Sequence, residues 1–332
     1  MQKETKTKAI HSVSLSELFQ SFEKSLGFKN KIKWQLSIII FLYHVIAVFW
    51  CYKYAIPAKW QTIVFAYVMY IYGGAGVVIG AHRLWTHKTF KVKLPLQILL
   101  LTAFASAGQN SVKQWVLDHR VHHKCSDTDG DPHNSSRGLF FSHIGWLMMK
   151  KNDQVLMHGK QIDISDITED PVLHFFDKYF THFKLLFCFI LPFYINVYLL
   201  GETWQCAIAW QWFIRFLTLF HSELTVNSLA HAYGYRPYNK DIVPTENIVV
   251  SALTLTEGGH NFHHAFPFDY RSAEQVKFYN LAAIFINVFE KIGWAYDLRK
   301  ATPTMINSMA QRLGDGSLRR TPVTNPELEK EK

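Results

Sequence analysis

Long uncharged stretches of helical length dominate the hydrophobic pattern of this chain. Residues 34–52 and 60–79 contain no Asp, Glu, Lys or Arg, and a helix of about 20 apolar residues crosses the hydrocarbon core of a bilayer. Two more apolar stretches flank the short turn Gly201–Glu202–Thr203, as in a helical hairpin. The pattern predicts an all-α integral membrane protein with four transmembrane helices, at about 34–52, 60–79, 185–200 and 204–224.

The polar segments between these stretches predict a second, helical layer outside the membrane. A fifth apolar stretch, 94–107, is too short to cross and predicts a re-entrant or interfacial helix. The remaining residues divide the chain into predicted regions. These are a basic segment at 1–33, one domain at 34–315 with a cap formed by 80–184 and 225–315, and a charged, disordered tail at 316–332.

The distribution of charge predicts the orientation in the membrane. The net charge is +9, from 35 Lys and Arg against 26 Asp and Glu, and seven lysines fall within the first 33 residues. Because positive residues mark the cytoplasmic side, we expect a cytosolic N-terminus, cap and C-terminus. The charge also suits an anionic lipid surface or a phosphate-bearing substrate, and the absence of a nucleic-acid motif argues against nucleic acid as a partner.

Histidine is the residue that adds chemistry to this pattern. Many of the 17 histidines recur three or four residues apart, a spacing that places side chains on one face of a helix. His82 and His87 are five apart and converge only if their helix ends or bends between them. The four-span topology puts all these groups on one side of the membrane. The candidate metal ligands are His82, His87, His119, His122, His123, His231, His260, His263 and His264, with Asn227 holding a metal-bound water.

The number of imidazoles limits which metal they could bind. A zinc site uses three or four ligands, so nine exceed one zinc ion and would fill two ions with four or five each. The His-Glu-x-x-His motif of zinc proteases is absent, and four scattered cysteines exclude a thiolate zinc finger. Imidazole suits iron, zinc, copper and nickel. An oxygen-activating pair of iron ions is the chemistry we infer from this set.

The motifs around these histidines resemble those of the membrane-bound acyl-CoA desaturases of animals, of the stearoyl-CoA type. The motifs are GAHRLWTH at 80–87, DHRVHHK at 118–124, DPHN at 131–134, GLFFSHIGW at 138–146, NSLAH at 227–231, GYRPY at 234–238 and EGGHNFHH at 257–264. The resemblance covers about residues 30–315, and the ending at 314–317 is most similar to the insect branch.

This resemblance implies an oxygen-dependent enzyme of the endoplasmic reticulum membrane. It would introduce a double bond, at the Δ9 position, into a saturated long-chain fatty acyl-CoA, using a di-iron centre held by the nine histidines. Electrons would come from cytochrome b5 with its reductase, as separate proteins. The alternatives are a related di-iron acyl hydroxylase or conjugase and, from another class, a histidine-rich four-span metal transporter. Transporters place their ligands near the membrane midplane, whereas these histidines follow the ends of the spans.

The resemblance also implies an acyl tunnel and its contacts with substrate. The implied residues are Gln109 and Trp115 at the tunnel kink, Asn110 and Asp118 near the thioester or CoA end, and Lys150 and Lys151 facing the CoA phosphates. An ordinary solvated charge pair is the alternative for the two lysines. Tyr70 and Gly74, one helical turn apart, are expected at the tunnel floor, where Gly74 would leave room for chains of stearoyl length or longer. Helix packing is the alternative for Gly74.

Two residues depart from the pattern of the family. Glu223 stands where the family usually has Thr, and Leu224 stands where it usually has Trp. A buried glutamate must be paired or protonated, and we expect Arg215 or the indole N–H of Trp115 as its partner. These departures leave the regiochemistry and the head-group contacts open.

Overall fold

The computed structural model describes residues 14–25, 30–274 and 280–318. The numbered helices are α1 Leu15–Ser25, α2 Trp34–Tyr54, α3 Trp60–Thr86, α4 Leu94–Ala107, α5 Val112–Cys125, α6 Asp153–Lys160, α7 Pro171–Lys178, α8 Phe180–Leu199, α9 204–232, α10 Ile248–Leu253, α11 His260–Ala265, α12 Leu281–Lys291 and α13 Pro303–Leu313. Shorter helical turns cover Ser135–Arg137, Phe141–Gly145, Trp146–Met148 and Ser165–Thr168. Strands β1 (Lys91–Val92) and β2 (Ala295–Tyr296) pair antiparallel, with Lys91 opposite Tyr296. Residues 319–332 of the predicted disordered tail at 316–332, and residues 1–13 and 26–29 of the basic N-terminal segment, lie outside the described residues.

Within the described part of the chain, three helices are long and apolar enough to cross a membrane: α2, α3 and α8. They confirm three of the apolar stretches, with α3 seven residues longer than expected and α8 beginning five residues earlier. The expected fourth span lies in α9, which is continuous from 204 to 232 but carries Arg215 and Glu223. Its membrane crossing therefore stays a prediction. Helix α4 is short, as expected, and packs against α3 and α8.

The two helical hairpins, α2–α3 and α8–α9, are joined at their turns by one carboxylate. The Lys59 backbone N–H and the Thr62 hydroxyl both donate to Glu202, each at 2.9 Å. Gly201 makes the α8–α9 turn with φ of +64°, a left-handed conformation that glycine adopts without strain. Both turns therefore lie at the same end of the bundle.

Helices α3 and α4 cross at very short range. A Cβ atom built on Gly76 would lie 2.1 Å from the backbone nitrogen of Phe104, so only glycine fits there. Around this crossing, Val77, Val78 and Leu101 are buried with Phe104 in the main hydrophobic core. The crossing fixes the part of α3 that leads directly into His82.

The end of α3 changes its winding. Residues Gly76–Thr86 form a π-helix, and the His87 backbone N–H donates to the His82 carbonyl, five residues earlier, at 3.2 Å. This wider turn places the two imidazole centroids 5.0 Å apart. The expected convergence of His82 and His87 is achieved by the π-winding together with the end of the helix at Thr86, and such turns often occur at functional sites.

Candidate metal centre and adjoining cavity

The structure brings all nine candidate histidines together in two groups, from the end of α3 and from α5, α9 and α11. Within each group, one ring nitrogen of every histidine lies within 4.8 Å of the others. The first group is His82, His87, His119, His123 and His263, and the second is His122, His231, His260 and His264. The groups divide the nine histidines into five and four, and their role as ligands of two ions stays a prediction.

All nine rings turn the same nitrogen, Nε2, toward one another. The Nε2–Nε2 distances are 2.9 Å for His82–His263 and His263–His123, 3.1 Å for His119–His87, 3.0 Å for His231–His260, 3.2 Å for His264–His260 and 3.3 Å for His122–His264. Three of these nitrogens, on His260, His263 and His264, each face two neighbours, although a single N–H can donate to only one of them.

Carboxylates fix where three of these histidines carry their proton. The pairs are His82 Nδ1 with Glu257 at 2.6 Å, His122 Nδ1 with Asp131 at 2.8 Å, and His231 Nδ1 with Asp127 at 3.0 Å. A neutral imidazole has one N–H. With that proton on Nδ1, the inward Nε2 is left with a lone pair, which is the arrangement in which metal-binding histidines are commonly held.

The ring nitrogens of the nine histidines are suited to bind a metal, and they cannot all be satisfied by hydrogen bonds to one another. Burial first, and then the neighbouring imidazoles, hold the pKa of His119, His123 and His263 well below the ordinary histidine value. Neutral rings whose lone pairs meet need a cation between them, and imidazole is a good ligand for several transition metals. The buried Nδ1 atoms of His260 and His263 have no hydrogen-bond partner, so no second interaction holds these two rings in place of a metal.

A cavity of about 360 Å³ opens beside the histidines. His82, His119 and His260 form part of its lining. The predicted substrate residues that line it are Gln109, Asn110, Trp115, Asp118, Glu223 and Leu224, and Asn227 lines it as well. The Trp115 ring stacks on His119 with centroids 4.9 Å apart, so the cavity wall and the histidine cluster share a direct contact.

The two predicted CoA-facing lysines lie outside this lining. The Lys151 ammonium pairs with Asp118, which is itself in the lining. The Lys150 backbone N–H donates to the Lys31 carbonyl at 2.8 Å, which ties this segment to the residues before α2. Lys151 therefore stands next to the cavity through Asp118.

The predicted floor residues, Tyr70 and Gly74, also lie outside the lining. The Tyr70 hydroxyl donates to Ser222 Oγ at 3.0 Å, and a Cβ atom on Gly74 would lie 3.4 Å from a Leu255 methyl group. They meet the side of α9 next to the cavity, and their role as a floor stays a prediction.

The chain is also similar to proteins of known activity. The model of the fatty acid desaturase family matches residues 57–300. The chain belongs to this family. It is 48% identical over 286 residues to the acyl-CoA Delta(11) desaturase of Spodoptera littoralis, covering 85% of this chain and 83% of that protein. It is 42% identical over 298 residues to the acyl-CoA Delta-9 desaturase of Acheta domesticus, covering 87% and 81%, and 40% identical over 290 residues to stearoyl-CoA desaturase 2 of Mus musculus, covering 87% and 80%.

These matches confirm the family, and with it the class of enzyme, that the histidine motifs predicted. Desaturases are oxidoreductases, and the histidine groups and apolar helices of this chain are compatible with metal binding and a membrane location. The family and the clusters together indicate a metal site, without identifying the metal.

The three carboxylates that anchor the histidines were not among the predicted site residues. Asp127 and Asp131 follow α5 in an acidic turn, directly after the His122–His123 pair, and Glu257 precedes His260 by three residues. Although burial acts to raise the pKa of Asp131, the His122 and His133 rings lower it below its ordinary value. For Asp127 and Asp131, the signal in the sequence was an acidic turn soon after a histidine group.

His133, which is not among the nine candidate ligands, lies close to the centre. Its Nδ1 is 3.6 Å from Asp131, its ring centroid is 4.3 Å from that of His122, and it lines the cavity. Burial lowers the pKa of His133 to about 3, so it is neutral at physiological pH.

The expected partner of Glu223 was wrong. The Arg215 guanidinium donates to the Ser106 carbonyl at 2.7 Å and to the Cys188 carbonyl. No hydrogen bond joins Glu223 to Arg215 or to Trp115, all of which are described. Arg215 instead fastens α9 to α4 and α8.

A second histidine array lies outside the two groups. His44 Nδ1 is 2.7 Å from the Ile40 carbonyl, and His44 Nε2 is 2.9 Å from His221 Nε2. His221 Nδ1 is 3.0 Å from His143 Nε2, and His143 Nδ1 is 2.9 Å from Ser228 Oγ. This chain links α2, α9 and the turn at Phe141–Gly145.

Proposed function

We propose that this protein is an oxygen-dependent acyl-CoA desaturase that introduces a double bond, at the Δ9 position, into a saturated long-chain fatty acyl-CoA. The observation that carries the proposal is the pair of buried or partly buried histidine groups, with converging Nε2 atoms, beside a largely apolar cavity. The named activities of the relatives, at Δ9 and Δ11, support the reaction class.

We propose two iron ions as the metal, one held by the five-histidine group and one by the four-histidine group, with Asn227 bound through water. Bound there, the iron pair would supply the oxygen activation needed to remove hydrogen from an unactivated methylene. A set of imidazoles that suits iron supports this assignment, as does the split of nine donors into five and four.

The residues of the chain itself bind and orient the acyl group. Val77, Val78 and Phe220 give the cavity an apolar wall that would hold methylene groups and exclude water. Trp115, stacked on His119, would fix the distance between the acyl chain and the metals. Asn110 and Asp118 would contact the thioester end.

Lys150 and Lys151 are proposed to bind the CoA phosphates. Lys151 is paired with Asp118 in this structure, and a phosphate carries more negative charge than a carboxylate. On binding, the Lys151 ammonium would turn from Asp118 to the phosphate, which frees Asp118 for the pantetheine end of the substrate.

We also propose a four-span topology in the endoplasmic reticulum membrane, with 204–224 as the fourth span, 34–315 as the catalytic domain and both termini cytosolic. The meeting of both hairpin turns at Glu202, away from the histidines, supports this arrangement. In sealed microsomes, protease added outside should digest a tag at either terminus, and a protected tag would contradict the topology.

Electrons are proposed to come from cytochrome b5 and its reductase. Purified protein should form product from acyl-CoA and oxygen when both are added, and omission of cytochrome b5 should abolish turnover. Equal turnover with the reductase alone would contradict this partner.

The deciding experiment is expression in a yeast strain that lacks its own desaturase, followed by mass spectrometry of the fatty acids. We expect growth without added unsaturated fatty acids and a Δ9 monounsaturated product. A hydroxylated or conjugated product would indicate the related reactions, and a transporter would yield neither product nor tightly retained iron.

The tunnel floor has its own test. Gly74→Ala places a methyl group 3.4 Å from Leu255, an ordinary contact that the helix tolerates, and Gly74→Leu fills more of the same space. Both should shift the preference toward shorter acyl chains, the second more than the first. Gly159→Ala in α6, whose Cβ would meet only Val121 at 3.9 Å, is the control. An unchanged preference in both Gly74 variants would exclude the floor.

A further inference from the structure

Three carboxyl groups line the cavity, and they differ in their hydrogen-bond and ion-pair partners. Asp118 is bound by Lys151 and Gln114, and Glu257 is bound by a histidine and an arginine of α3. Glu223, which is partly buried, makes no hydrogen bond or ion pair with any residue that the structure describes. It is the one carboxyl of the three that faces the cavity without a protein partner.

Three basic side chains, on α2, α8 and α9, are engaged elsewhere. Arg215 donates to two backbone carbonyls of other helices. Lys184, in the same lining, reaches the Gln109 carbonyl at 3.5 Å, and His44 has both ring nitrogens within hydrogen-bond distance of other groups. In an empty cavity, water can hydrate Glu223. A wholly hydrocarbon chain would displace that water and offer nothing in return, which is costly for a buried carboxyl.

The position of Glu223 on α9 relates this carboxyl to the reaction centre. Glu223, Asn227 and His231 follow one another at intervals of four residues and so share one face of the α-helical part of α9. At 1.5 Å per residue, Glu223 lies about 6 Å along the axis from Asn227 and about 12 Å from His231. An acyl chain in the cavity therefore passes Glu223 close to the metal group.

We propose that Glu223 makes this enzyme select a fatty acyl thioester that carries a hydroxyl group along its chain, and that this hydroxyl hydrogen-bonds to the Glu223 carboxyl. A hydroxyl both donates and accepts, so it pairs with the carboxyl in either protonation state. The hydroxyl is a recognition element and is not changed by the reaction. The inference rests on the proposed function, since it names the substrate class of the same cavity.

The test compares stearoyl-CoA with a panel of positional isomers of hydroxystearoyl-CoA, using purified iron-loaded protein and its electron donors. The wild type should favour its best hydroxylated isomer over stearoyl-CoA by about tenfold or more in kcat/KM, because a site that pairs with a hydroxyl rejects the analogue lacking it. Glu223→Leu should invert this preference by raising turnover of stearoyl-CoA and lowering that of the isomer. Glu223→Gln, which still hydrogen-bonds, should keep the wild-type order.

Glu290→Leu makes the same chemical change at an exposed position on α12 and should leave the ratio unaltered. Wild-type preference for stearoyl-CoA over every isomer, or an unchanged ratio in Glu223→Leu, would overturn the role of Glu223. If Glu223→Leu fails to fold, the comparison between wild type and Glu223→Gln on the same panel still decides, because a preference for stearoyl-CoA in both overturns the proposal. No unsaturated product from any acyl-CoA with the iron-loaded wild type would instead overturn the proposed function.

Discussion

The two histidine arrays of this molecule are built from the same side chain and behave oppositely. In the chain from His44 through His221 to His143, the Ile40 carbonyl requires the proton of His44 on Nδ1. His44 Nε2 then accepts from His221, and His221 Nδ1 accepts from His143. His143 Nδ1 lies 2.9 Å from the Ser228 hydroxyl, whose one proton can be donated to this nitrogen or to the Leu224 carbonyl. Every N–H has an acceptor, so this array is complete as a set of neutral rings.

The nine-histidine cluster cannot be completed in this way. Its carboxylates hold protons on the outer nitrogens of His82, His122 and His231, and the inner nitrogens meet without enough protons to share. The difference shows that the number of histidines does not define a metal site. What defines it is the set of acidic anchors that turn the lone pairs inward.

The largest expected effect comes from removing a ring whose Nε2 faces two others. His263→Ala removes the Nε2 that faces both His82 and His123 at 2.9 Å, so we expect loss of most bound iron and of all product. His221→Ala, in the other array, should retain its iron. Elemental analysis of purified protein measures both, and full iron in His263→Ala or iron loss in His221→Ala would contradict the comparison.

Removal of an anchor should have a smaller effect than removal of a ligand. Asp131→Asn leaves His122 in place but weakens the acceptor that orients it, and such changes cost roughly 10–100-fold in metal affinity or activity. Asp129→Asn, exposed in the same acidic turn, is the matched control. Iron titration and product formation should separate the two variants, and equal values would show that the anchor is dispensable.

Glu246 is an acidic residue near the cluster that makes no hydrogen bond to a histidine. It tests whether every carboxyl in this region stays ionised as the histidine anchors do. Glu246 accepts from the Phe262 N–H of α11 at 2.8 Å, and burial raises its pKa to about 8 from an ordinary value of 4.5. Because the folded state holds this proton more tightly than the unfolded state does, its contribution to stability is complete below about pH 4.5 and is lost as pH rises to about 8.

Glu246→Gln removes this titration. The melting temperature of the variant relative to wild type should therefore increase as the pH is raised from 5 to 8, a range that spans the loss of the Glu246 proton. Glu290→Gln, at the exposed position on α12, should show no such trend. A melting-temperature difference for Glu246→Gln that stays constant with pH would show that this carboxyl does not titrate in that range.

The smallest effect is expected at the end of the neutral chain. Ser228→Ala removes a hydroxyl within hydrogen-bond distance of His143 Nδ1 and of the Leu224 carbonyl, which should lower the free energy of unfolding by about 1 kcal/mol. Iron content and product should be unchanged. Denaturant unfolding in detergent measures the first, and a loss of iron would show that the two arrays are coupled.

Much of this architecture could be predicted from local spacing. The uncharged stretches gave α2 and α3, and the three-and-four-residue spacing placed His119, His122 and His123 on one side of α5, because both signals are properties of a single helix. The pairing of Asp127 with His231 could not be predicted, since it joins residues 104 positions apart. The π-winding after Gly76 also depends on the crossing with α4, which no local pattern encodes.

The expected pairing of Arg215 with Glu223 was wrong because it, too, depends on contacts between helices. Eight residues separate Arg215 from Glu223, which suggested neighbouring positions on one helix. The helix between them is regular α-helix, Phe216–Ala232, and at about 3.6 residues per turn eight positions leave the two side chains about 80° apart around the axis. The guanidinium consequently faces α4 and α8, and Glu223 faces the cavity.

The uninterrupted course of α3 also links the lipid environment to the metal ligands. The helix runs from Trp60 through the Gly76 crossing into His82 without a linker. Helices tilt to match the thickness of the bilayer around them, and a tilt of α3 carries His82 with it. We therefore expect the thickness of the bilayer to affect the geometry of the five-histidine group.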